Sequence, residues 1–398
     1  MSLRRFPTAP VICFGLVVAL SACQAAPPAA EAPPPAEVLR VAVFNIFELS
    51  AAKVDQVDAA GIGLDPQLRS AAEILQRVRP DVVLINEIDV AIEPNPGETR
   101  VVDRFIAHYL AHPQSGQQPL DYAHRFTAPV NTGVPSGFDL DRDGNRDGPA
   151  DGWGFGRYPG QYGMAVLSDL PIDRDSVRTF RMLRWAAMPG ALIPDGRDGR
   201  PDWYPPEVAE HLRLSSKSHW DVSVRLPTDE RLHLLASHPT PRGFDGEEDR
   251  NGRRNADEIR LWAEYLDGAE WIVDDDGQAG GLAEDASFVL LGDLNADPFA
   301  AGPNGGAPAI ARLLTHPRIQ DPEPRGEGAQ DDDRPYAGDP STRTAAYGRI
   351  DYVLPSRDLD VLDSAVFLPA KGDPRRSLVA GETRASDHQL VWVDLRIR

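Results

Sequence analysis

Several apolar segments of this 398-residue chain end in residues that can bind a metal ion or transfer a proton. These residues are Asn45 in VLRVAVFNI (38–46), Glu87 in DVVLINEI (81–88), His238 in LHLLASH (232–238), and Asp293 and Asn295 in FVLLGDLN (288–295). Each has an ordinary explanation by itself, because Asn, Asp and Gly form turns and Glu caps helices. Their occurrence at the ends of several segments favours one common site.

Two segments near the C-terminus add further candidates. GRIDYVLPS contains Asp351, and ASDHQLVW places Asp387 and His388 just before a last apolar segment. Carboxylate and amide oxygens suit hard cations such as magnesium, manganese or calcium. Two histidines with carboxylate partners suit proton transfer near neutral pH. A cation, a positioned water and proton-transfer groups are what hydrolysis of a phosphoester requires.

The elements that must position these residues are short segments rich in Val, Leu and Ile and bounded by turn residues. Eight are strand-like: 38–46, 81–88, 162–168, 220–226, 232–238, 288–294, 350–356 and 390–397. Helical spacing occurs in PQLRSAAEILQRVRP, where Asp65 is a plausible N-cap, and in ETRVVDRFIAHYL and NADEIRLWAEYL. The pattern predicts one large α/β or α+β domain with mixed sheets, and such sheets gather their sites at strand ends.

The motifs FNI, LINE, YGMAVLS, SHPT, GDLNADP, RIDYVLPS and SDH occur in a characteristic order between residues 41 and 396. In this order the chain resembles the endonuclease/exonuclease/phosphatase superfamily, which includes deoxyribonuclease I, exonuclease III-type repair enzymes, neutral sphingomyelinases and inositol-phosphate phosphatases. The resemblance implies a deoxyribonuclease-I-like fold over residues 38–398, a four-layer sandwich of two mixed β-sheets flanked by helices.

The resemblance also implies roles for the candidate residues. Asn45, Glu87 and Asp387 match metal-site residues, with Glu87 as the principal carboxylate for magnesium or manganese. Asp293 and Asn295 match the pair that positions or activates the attacking water. His388 matches the catalytic histidine that Asp351 orients, and His238 matches a phosphate ligand or proton donor to the leaving group. Which histidine is the acid stays open.

One departure from the superfamily pattern concerns the metal site. Some members carry a second carboxylate two residues after the asparagine. Here that position is Phe47, and Glu48 is next. The second metal position is therefore open.

The segment DLDRDGNRD predicts a possible second metal site. Acidic or amide side chains alternate along it, at Asp139, Asp141, Asp143, Asn145 and Asp147. With Gly144 in sixth place, this is the pattern of an EF-hand-type calcium loop. The twelfth position is Ala150 where a Glu is expected, so an acidic, solvated loop is the alternative. A calcium ion here would be structural.

The N-terminal residues have the pattern of a secretory signal rather than of a membrane span, with Arg4 and Arg5 before a short apolar run. Its end, LSAC, resembles the lipobox of bacterial lipoproteins, in which Cys23 would be acylated. We expect residues 1–22 to be the signal peptide and 23–37 to be the lipidated cysteine with a Pro/Ala-rich tether. The resemblance implies a lipoprotein of the cell envelope that is anchored through Cys23. Gln24 follows the cysteine in place of the Asp that retains such proteins at the inner membrane, which implies sorting to the outer membrane of a Gram-negative bacterium.

The formal net charge of −20 argues against a tight non-specific nucleic-acid binder. The substrate stays open among small phosphoesters, DNA or RNA cut by an extracellular endonuclease, and phospholipids cut by a phospholipase C or sphingomyelinase type. We expect a phosphoester substrate and a membrane contact through the anchor, nucleic acid only as substrate, and no protein partner. The non-enzyme alternative is a catalytically inactive lipoprotein that binds a phosphate ligand.

Overall fold

The computed structural model describes residues 37–93, 100–194, 196, 203–331 and 334–397. Strands within this part of the chain are β1 (Glu37–Leu49), β2 (Val82–Ile88), β3 (His124–Phe126), β4 (Gly163–Ser168), β5 (Arg178–Thr179), β6 (His219–Arg225), β7 (Arg231–Ser237), β8 (Phe288–Asp293), β9 (Asp351–Pro355), β10 (Asp360–Val366) and β11 (Val391–Ile397). The α-helices are α1 (Ala51–Val54), α2 (Pro66–Val78), α3 (Val101–Phe105), α4 (Pro206–Ala209), α5 (Arg250–Leu266) and α6 (Ala311–Leu314).

Two mixed sheets form the centre of the fold. One has six strands in the order β10-β11-β1-β2-β4-β3, and the other has five in the order β5-β6-β7-β8-β9. The pairs β1–β2 and β7–β8 are parallel, and the remaining pairs are antiparallel. This architecture confirms the expected deoxyribonuclease-I-like fold class. All eight predicted strands are present. Three strands escaped prediction: β3 and β5 are very short, and β10 is an edge strand without apolar alternation.

The alternation of side chains along β8 shows how the layers are arranged. Val289 and Leu291 belong to a core cluster that also holds Val41 and Val43 of β1, so this face packs against the six-stranded sheet. Phe288 and Leu290 belong to a second cluster with residues of α5. Because successive strand residues point to opposite faces, β8 is buried on both sides. This explains its continuous apolar sequence.

The two longest helices pack as their sequences indicate, although α5 begins at Arg250, five residues before the predicted segment. Asp65 caps α2, since its side chain accepts a hydrogen bond from Leu68 N at 3.0 Å. Helix α2 buries Leu68 and Leu75 in the first core cluster, and α5 buries Trp262 in the second. The third predicted helical segment forms α3 followed by one π-helical turn, Ile106–Leu110.

The strand pairing brings distant polar residues to one edge. Asp293, the last residue of β8, pairs in register with Asp351, the first residue of the antiparallel β9. Gly292 permits this close packing, because a Cβ at that position would collide with the carbonyl oxygen of Ser237 at the end of β7. The glycine of GDLN is therefore required by the approach of β7 to β8.

Glu37–Arg398 forms one unit by its internal contacts. The signal peptide and the lipidated Cys23 lie outside the described residues, as does almost all of the expected tether. Among the helices that are described, none combines the length and the apolar character needed to cross a bilayer.

Candidate active site

The carboxylate of Asp293 is the centre of a cluster formed by three strand ends. Asn45 Nδ2 donates to Asp293 Oδ2 at 3.0 Å and to Glu87 Oε1 at 3.1 Å. Asn45 comes from β1 and Glu87 from β2 in one sheet, whereas Asp293 ends β8 in the other. The amide thus joins carboxylates of both sheets, and their two oxygens lie no more than about 6 Å apart.

A carboxylate and a histidine approach Asp293 from the C-terminal part of the chain. Asp351 Oδ2 lies 2.9 Å from His388 Nδ1, and His388 Nε2 lies 3.8 Å from Asp293 Oδ2. Thr344 Oγ1 accepts from Asp351 N at 3.0 Å and so ties the start of β9 to the preceding loop. The imidazole is therefore held between two carboxylates, with its Nε2 directed to Asp293.

The second predicted histidine contacts the same oxygen. His238 Nε2 lies 3.3 Å from Asp293 Oδ2, and the ring is nearly fully buried. Its Nδ1 has no hydrogen-bond partner among the described residues. This nitrogen is closed off from solvent, so Nε2 is the ring atom that His238 presents to the cluster.

The environment moves the pKa values of the two histidines in opposite directions. Burial lowers the pKa of His388, but Asp351 and Asp293 outweigh it and raise the pKa above its usual value. Burial, reinforced by Lys217, lowers the pKa of His238 in spite of Asp293. Opposite shifts in one site are typical of groups with different proton-transfer roles.

The pKa values of the Asp351 and Asp293 carboxylates are also shifted in opposite directions. Burial raises the pKa of Asp351 to about 6, with a further increase from Asp293 and a decrease from His388. Burial opposes ionisation of Asp293 as well, but the two histidines and the hydrogen bond from Asn45 lower its pKa below the usual range. Asp293 is therefore the carboxylate that stays ionised.

Backbone strain is concentrated at the strand ends that carry these residues. Glu87 and Asn295 adopt left-handed φ values of 65° and 51°, and Phe47 and Glu48 adopt 45° and 55°. Non-glycine residues in this region cost free energy and cluster at functional sites. Asn295 is held there by its Nδ2, which donates to Pro239 O at 3.1 Å, and by its backbone N, which donates to Asp293 Oδ1 at 3.0 Å.

Seven of the eight predicted site residues lie within or directly beside this cluster, and Asp387 differs from the others. Asp387 is half-buried and lines a separate cavity of about 460 Å³ that also contains Arg376 and Arg384. Its charge contributes to the raised pKa of His388. No contact joins it to Glu87 among the described residues, and its role as a metal-site carboxylate stays a prediction.

Four further residues support the cluster, and three of them, Glu48, Asn86 and Tyr162, were not assigned a place in it from the sequence. Tyr162 OH donates to Glu48 Oε1 at 2.9 Å, and Glu48 N donates to Glu87 Oε2 at 3.2 Å. Asn86 Oδ1 accepts from Asp293 N at 3.1 Å across the two sheets. Lys217, 5% exposed, lines the same cavity as Glu87 and His238. The one available signal was local: Asn86 stands inside the LINE motif.

The residues fit a divalent cation at Glu87. The site offers carboxylate and amide oxygens, the donors that magnesium and manganese prefer. Glu87 is half-buried, and no lysine, arginine or histidine of the described chain pairs with it. A partly buried carboxylate without a cationic partner favours a bound cation as its counter-ion. Asn45 and Asp293 would complete that site.

The acidic loop shows a partial cluster. Oxygens of Asp139, Asp141 and Asp143 lie within 4.8 Å of one another, whereas Asp147 lies outside this group. Asn145 donates to Asp143 Oδ2 at 3.1 Å. The carboxylate of Asp151 accepts from Leu140 N and Gly148 N and thereby closes the loop.

Comparisons with known proteins agree with this geometry. A model described as Endonuclease/Exonuclease/phosphatase family matches residues 42–388. No curated protein matches the chain. Among solved structures, an endonuclease/exonuclease/phosphatase from Beutenbergia cavernae DSM 12333 is similar at 19% identity, with a TM-score of 0.50, 90% of this chain and 72% of that chain covered.

Two other solved structures are similar at lower scores. The human Nocturnin catalytic domain with bound sulfate anion has 12% identity and a TM-score of 0.46, with 91% of this chain and 94% of that chain covered. Sphingomyelinase C from Streptomyces griseocarneus has 17% identity and a TM-score of 0.44, with coverages of 90% and 99%. At these identities and TM-scores neither similarity bears on the activity of this chain.

Proposed function

The chain belongs to the endonuclease/exonuclease/phosphatase family, and we propose that it is a divalent-metal-dependent hydrolase of phosphoester bonds, of phosphodiesterase or phosphatase type. One observation carries this proposal. Asn45, His238 and His388, from three separate parts of the chain, all direct side-chain nitrogens to Asp293 Oδ2, at 3.0, 3.3 and 3.8 Å. This arrangement gathers a metal-site residue, a carboxylate and two proton-transfer groups around one point.

The metal would be held by Glu87 with oxygens of Asn45 and Asp293. When bound, a magnesium or manganese ion supplies Lewis-acid polarisation of the phosphoryl oxygens. The remaining chemistry is assigned to the side chains. Asp293 and Asn295, whose backbone N donates to Asp293 Oδ1 at 3.0 Å, position the attacking water.

The histidines handle the protons and the phosphoryl charge. Asp351 holds His388 by Nδ1, so that Nε2 faces the reacting group. His238 offers Nε2, the ring nitrogen directed at Asp293, to a phosphoryl or leaving-group oxygen. Lys217 places a buried positive charge in the same cavity, which favours the charge that develops on the phosphoryl oxygens.

An inactive phosphate-binding protein is the non-enzyme alternative. Proteins that keep a fold and lose catalysis need not preserve a water-activating group held in place by its neighbours. Here Asp293 and His388 are both present, and both are buried and connected. This favours turnover over binding alone.

Hydrolysis of bis-(p-nitrophenyl) phosphate, with and without a chelator, tests the proposal. We expect metal-dependent release of p-nitrophenol that is abolished in Asp293→Ala and His388→Ala. His112→Ala is a matched control, because His112 follows the π-helical turn Ile106–Leu110 and only its carbonyl oxygen is bonded to Gln76 of α2, with no contact to the Asp293 cluster among the described residues. Folded wild-type protein that releases no product in any of magnesium, manganese or calcium would contradict the proposal and favour the binding alternative.

Calcium is proposed as a second, structural ion at Asp139, Asp141 and Asp143. The grouping of their oxygens supports this, as does the closing of the loop by Asp151. The loop borders the active-site cavity through Asp141. A bound ion would therefore stiffen one wall of that cavity.

Export and lipid anchoring at Cys23 are proposed on the sequence pattern alone. An acylated cysteine would place the enzyme at the cell envelope, where phosphoesters from outside the cell are its accessible substrates.

A further inference from the structure

A cavity of about 510 Å³ extends from the catalytic cluster between the surrounding loops. Glu87, His238 and Lys217 line the end that adjoins the cluster. The volume is within the range of roughly 300–1,000 Å³ that small-molecule sites occupy. The residues that carry out hydrolysis lie only at the catalytic end, so the rest of the cavity is free to contact another part of the substrate.

One wall of the cavity beyond the catalytic end is apolar and rigid. Trp185, Tyr204 and Leu212 line it and belong to the second core cluster. The Trp185 indole is further fixed by Nε1, which donates to Asp257 Oδ2 at 2.6 Å. Because these side chains are already packed, a ligand body that enters gains from burial of apolar surface without ordering the walls.

Exposed aromatic residues lie at the opening of this cavity. Phe155 is 56% exposed and Phe244 is 91% exposed, and both are among the lining residues. Large apolar side chains with this exposure are unfavourable in water unless a ligand or partner covers them. They extend the apolar surface from the walls to the entrance.

The arginine and lysine side chains that line the cavity have different contacts. Arg254 donates to the carbonyl oxygens of Trp153, Leu214 and Ser215, so it holds the walls together. Arg250 pairs with Glu248, and Arg213 donates to Asn131 Oδ1. Among the described lysine and arginine side chains that line the cavity, only Lys217 has neither a hydrogen bond nor an ion pair, and it lies at the catalytic end. One such cation suits one phosphate group.

We propose that this cavity holds the leaving group and selects phosphodiesters of apolar alcohols, with the phosphate at Lys217 and the apolar body against Trp185, Tyr204 and Leu212. The inference rests on the proposed hydrolase function. In the reaction, the oxygen of water forms a bond to phosphorus while the bond from phosphorus to the leaving oxygen breaks. Water gives up one proton and the leaving oxygen gains one, so the products are a phosphomonoester and a neutral alcohol.

The same walls disfavour polar leaving groups. A sugar or inositol would bury several hydroxyl groups against Trp185 and Leu212, where the only indole N–H already donates to Asp257. Buried hydroxyl groups without partners cost free energy, which weakens the transition state for such substrates. A polynucleotide would also bring further phosphates to a chain of net charge −20.

Two phosphodiesters of similar leaving-group acidity test the selection: methyl 4-nitrophenyl phosphate and methyl 4-methylumbelliferyl phosphate. We expect kcat/KM to be about tenfold higher for the larger umbelliferyl leaving group, since it buries more apolar surface. Turnover of both with equal kcat/KM would overturn this inference and leave the proposed function intact. No metal-dependent turnover of either would overturn both.

A variant that fills the cavity provides the second test. Ala150 lines the cavity from the short helical turn Pro149–Asp151, and Ala150→Phe should abolish the preference for the larger leaving group. Ala187→Phe is the matched control, because Ala187 belongs to a similar turn and is exposed. An unchanged preference in folded Ala150→Phe would overturn the proposal.

Replacement of Lys217 tests where the phosphate group binds. In Lys217→Met we expect KM to rise about tenfold for both esters with the preference retained, and Lys217→Arg to restore part of the loss. Loss of the preference in Lys217→Met with unchanged KM would contradict the position given to the phosphate.

Inhibition of the wild-type enzyme requires no variant. 2-Naphthol should inhibit competitively, whereas inositol at the same concentration should not, and equal inhibition by both would contradict the proposal.

The apolar alcohol has two sources, an acylated glycerol in a lipid or a free aromatic alcohol. Hydrolysis of soluble dibutyroylphosphatidylcholine faster than of the umbelliferyl ester indicates the lipid, and the reverse order indicates the aromatic alcohol.

Discussion

Asp351 binds His388 through the ring nitrogen that faces away from the reacting centre. Its Oδ2 lies 2.9 Å from Nδ1, and the other ring nitrogen, Nε2, lies 3.8 Å from Asp293 Oδ2. Since the contact to Asp351 selects both the orientation and the tautomer of the ring, the position of the reactive nitrogen depends on a residue 37 positions away in sequence.

Replacing Asp351 by Asn should therefore impair catalysis and leave the fold intact. We expect kcat to fall about 10²–10⁴-fold, because the ring loses the anion that orients it and stabilises its charged form. Steady-state hydrolysis of bis-(p-nitrophenyl) phosphate measures the loss, and circular dichroism checks the fold. Asp358→Asn, at a partly exposed carboxylate bonded to Ser287, should behave as wild type. Wild-type kcat in Asp351→Asn would disprove the orienting role.

Replacing the carboxylate of Glu87 should weaken binding of the catalytic metal ion. A chelator should abolish activity and magnesium or manganese should restore it, and Glu87→Gln should need at least tenfold more metal for half-maximal activity. Metal titrations of activity and of thermal unfolding measure this. Glu73→Gln, which removes a helix ion pair to Arg77, is the control. Identical metal titrations for Glu87→Gln and wild type would exclude Glu87 as a ligand.

His219 should make stability depend on pH. Burial lowers the pKa of this ring to about 4, although Glu258 opposes the shift. The unfolded chain takes up the proton below its usual pKa of about 6.5, so stability is full above that pH and is lost as pH falls towards 4. The loss is roughly 3 kcal/mol.

Comparison with His219→Gln isolates this contribution. Glutamine has a donor and an acceptor that can replace the contacts of the ring with Glu258 O and Ser215 Oγ, but it does not titrate. Urea unfolding between pH 7.5 and 4 should show a shallower decline for the variant. Parallel declines would mean that the ring does not stay neutral in the folded state.

Calcium should stabilise the protein through the acidic loop. A site at Asp139, Asp141 and Asp143 would contribute about 2.7 kcal/mol at a calcium concentration 100 times the Kd, seen as a higher Tm. The shift should persist in Glu87→Gln, which alters the catalytic site, and in Asp285→Asn, an exposed control. Its persistence in the double variant Asp141→Asn, Asp143→Asn would exclude the loop as the site.

Cys23 should determine how the protein partitions between membrane and soluble fractions. Acylation would place the wild type in the detergent phase of a cell-envelope extract, whereas Cys23→Ser should leave the protein in the aqueous phase or unprocessed. The activity of the purified variant should be unchanged. Equal partitioning of the two proteins would argue against lipidation.

The sequence by itself was sufficient to predict the strands that carry the site and to identify the candidate residues at their ends. Val289 to Leu291 predict a doubly buried strand because neighbouring side chains point to opposite faces, and Asp65 before Pro66 predicts a helix start because the cap bonds are local. Asp293 and His388 were identified as site residues for a similar reason, since polar residues beside an apolar strand, after it for Asp293 and before it for His388, are visible within a few positions.

Only the tertiary structure decided which strand ends meet and what surrounds them. Contacts between segments far apart in sequence determine the register of Asp293 with Asp351. They also determine that Asp387 lines one cavity and Lys217 the catalytic cavity. The apolar cavity has no sequence pattern, because Trp185, Tyr204 and Leu212 come from loops without periodicity. Local sequence specifies the side-chain alternation of each strand, whereas the packing of two sheets specifies which side chains share a site.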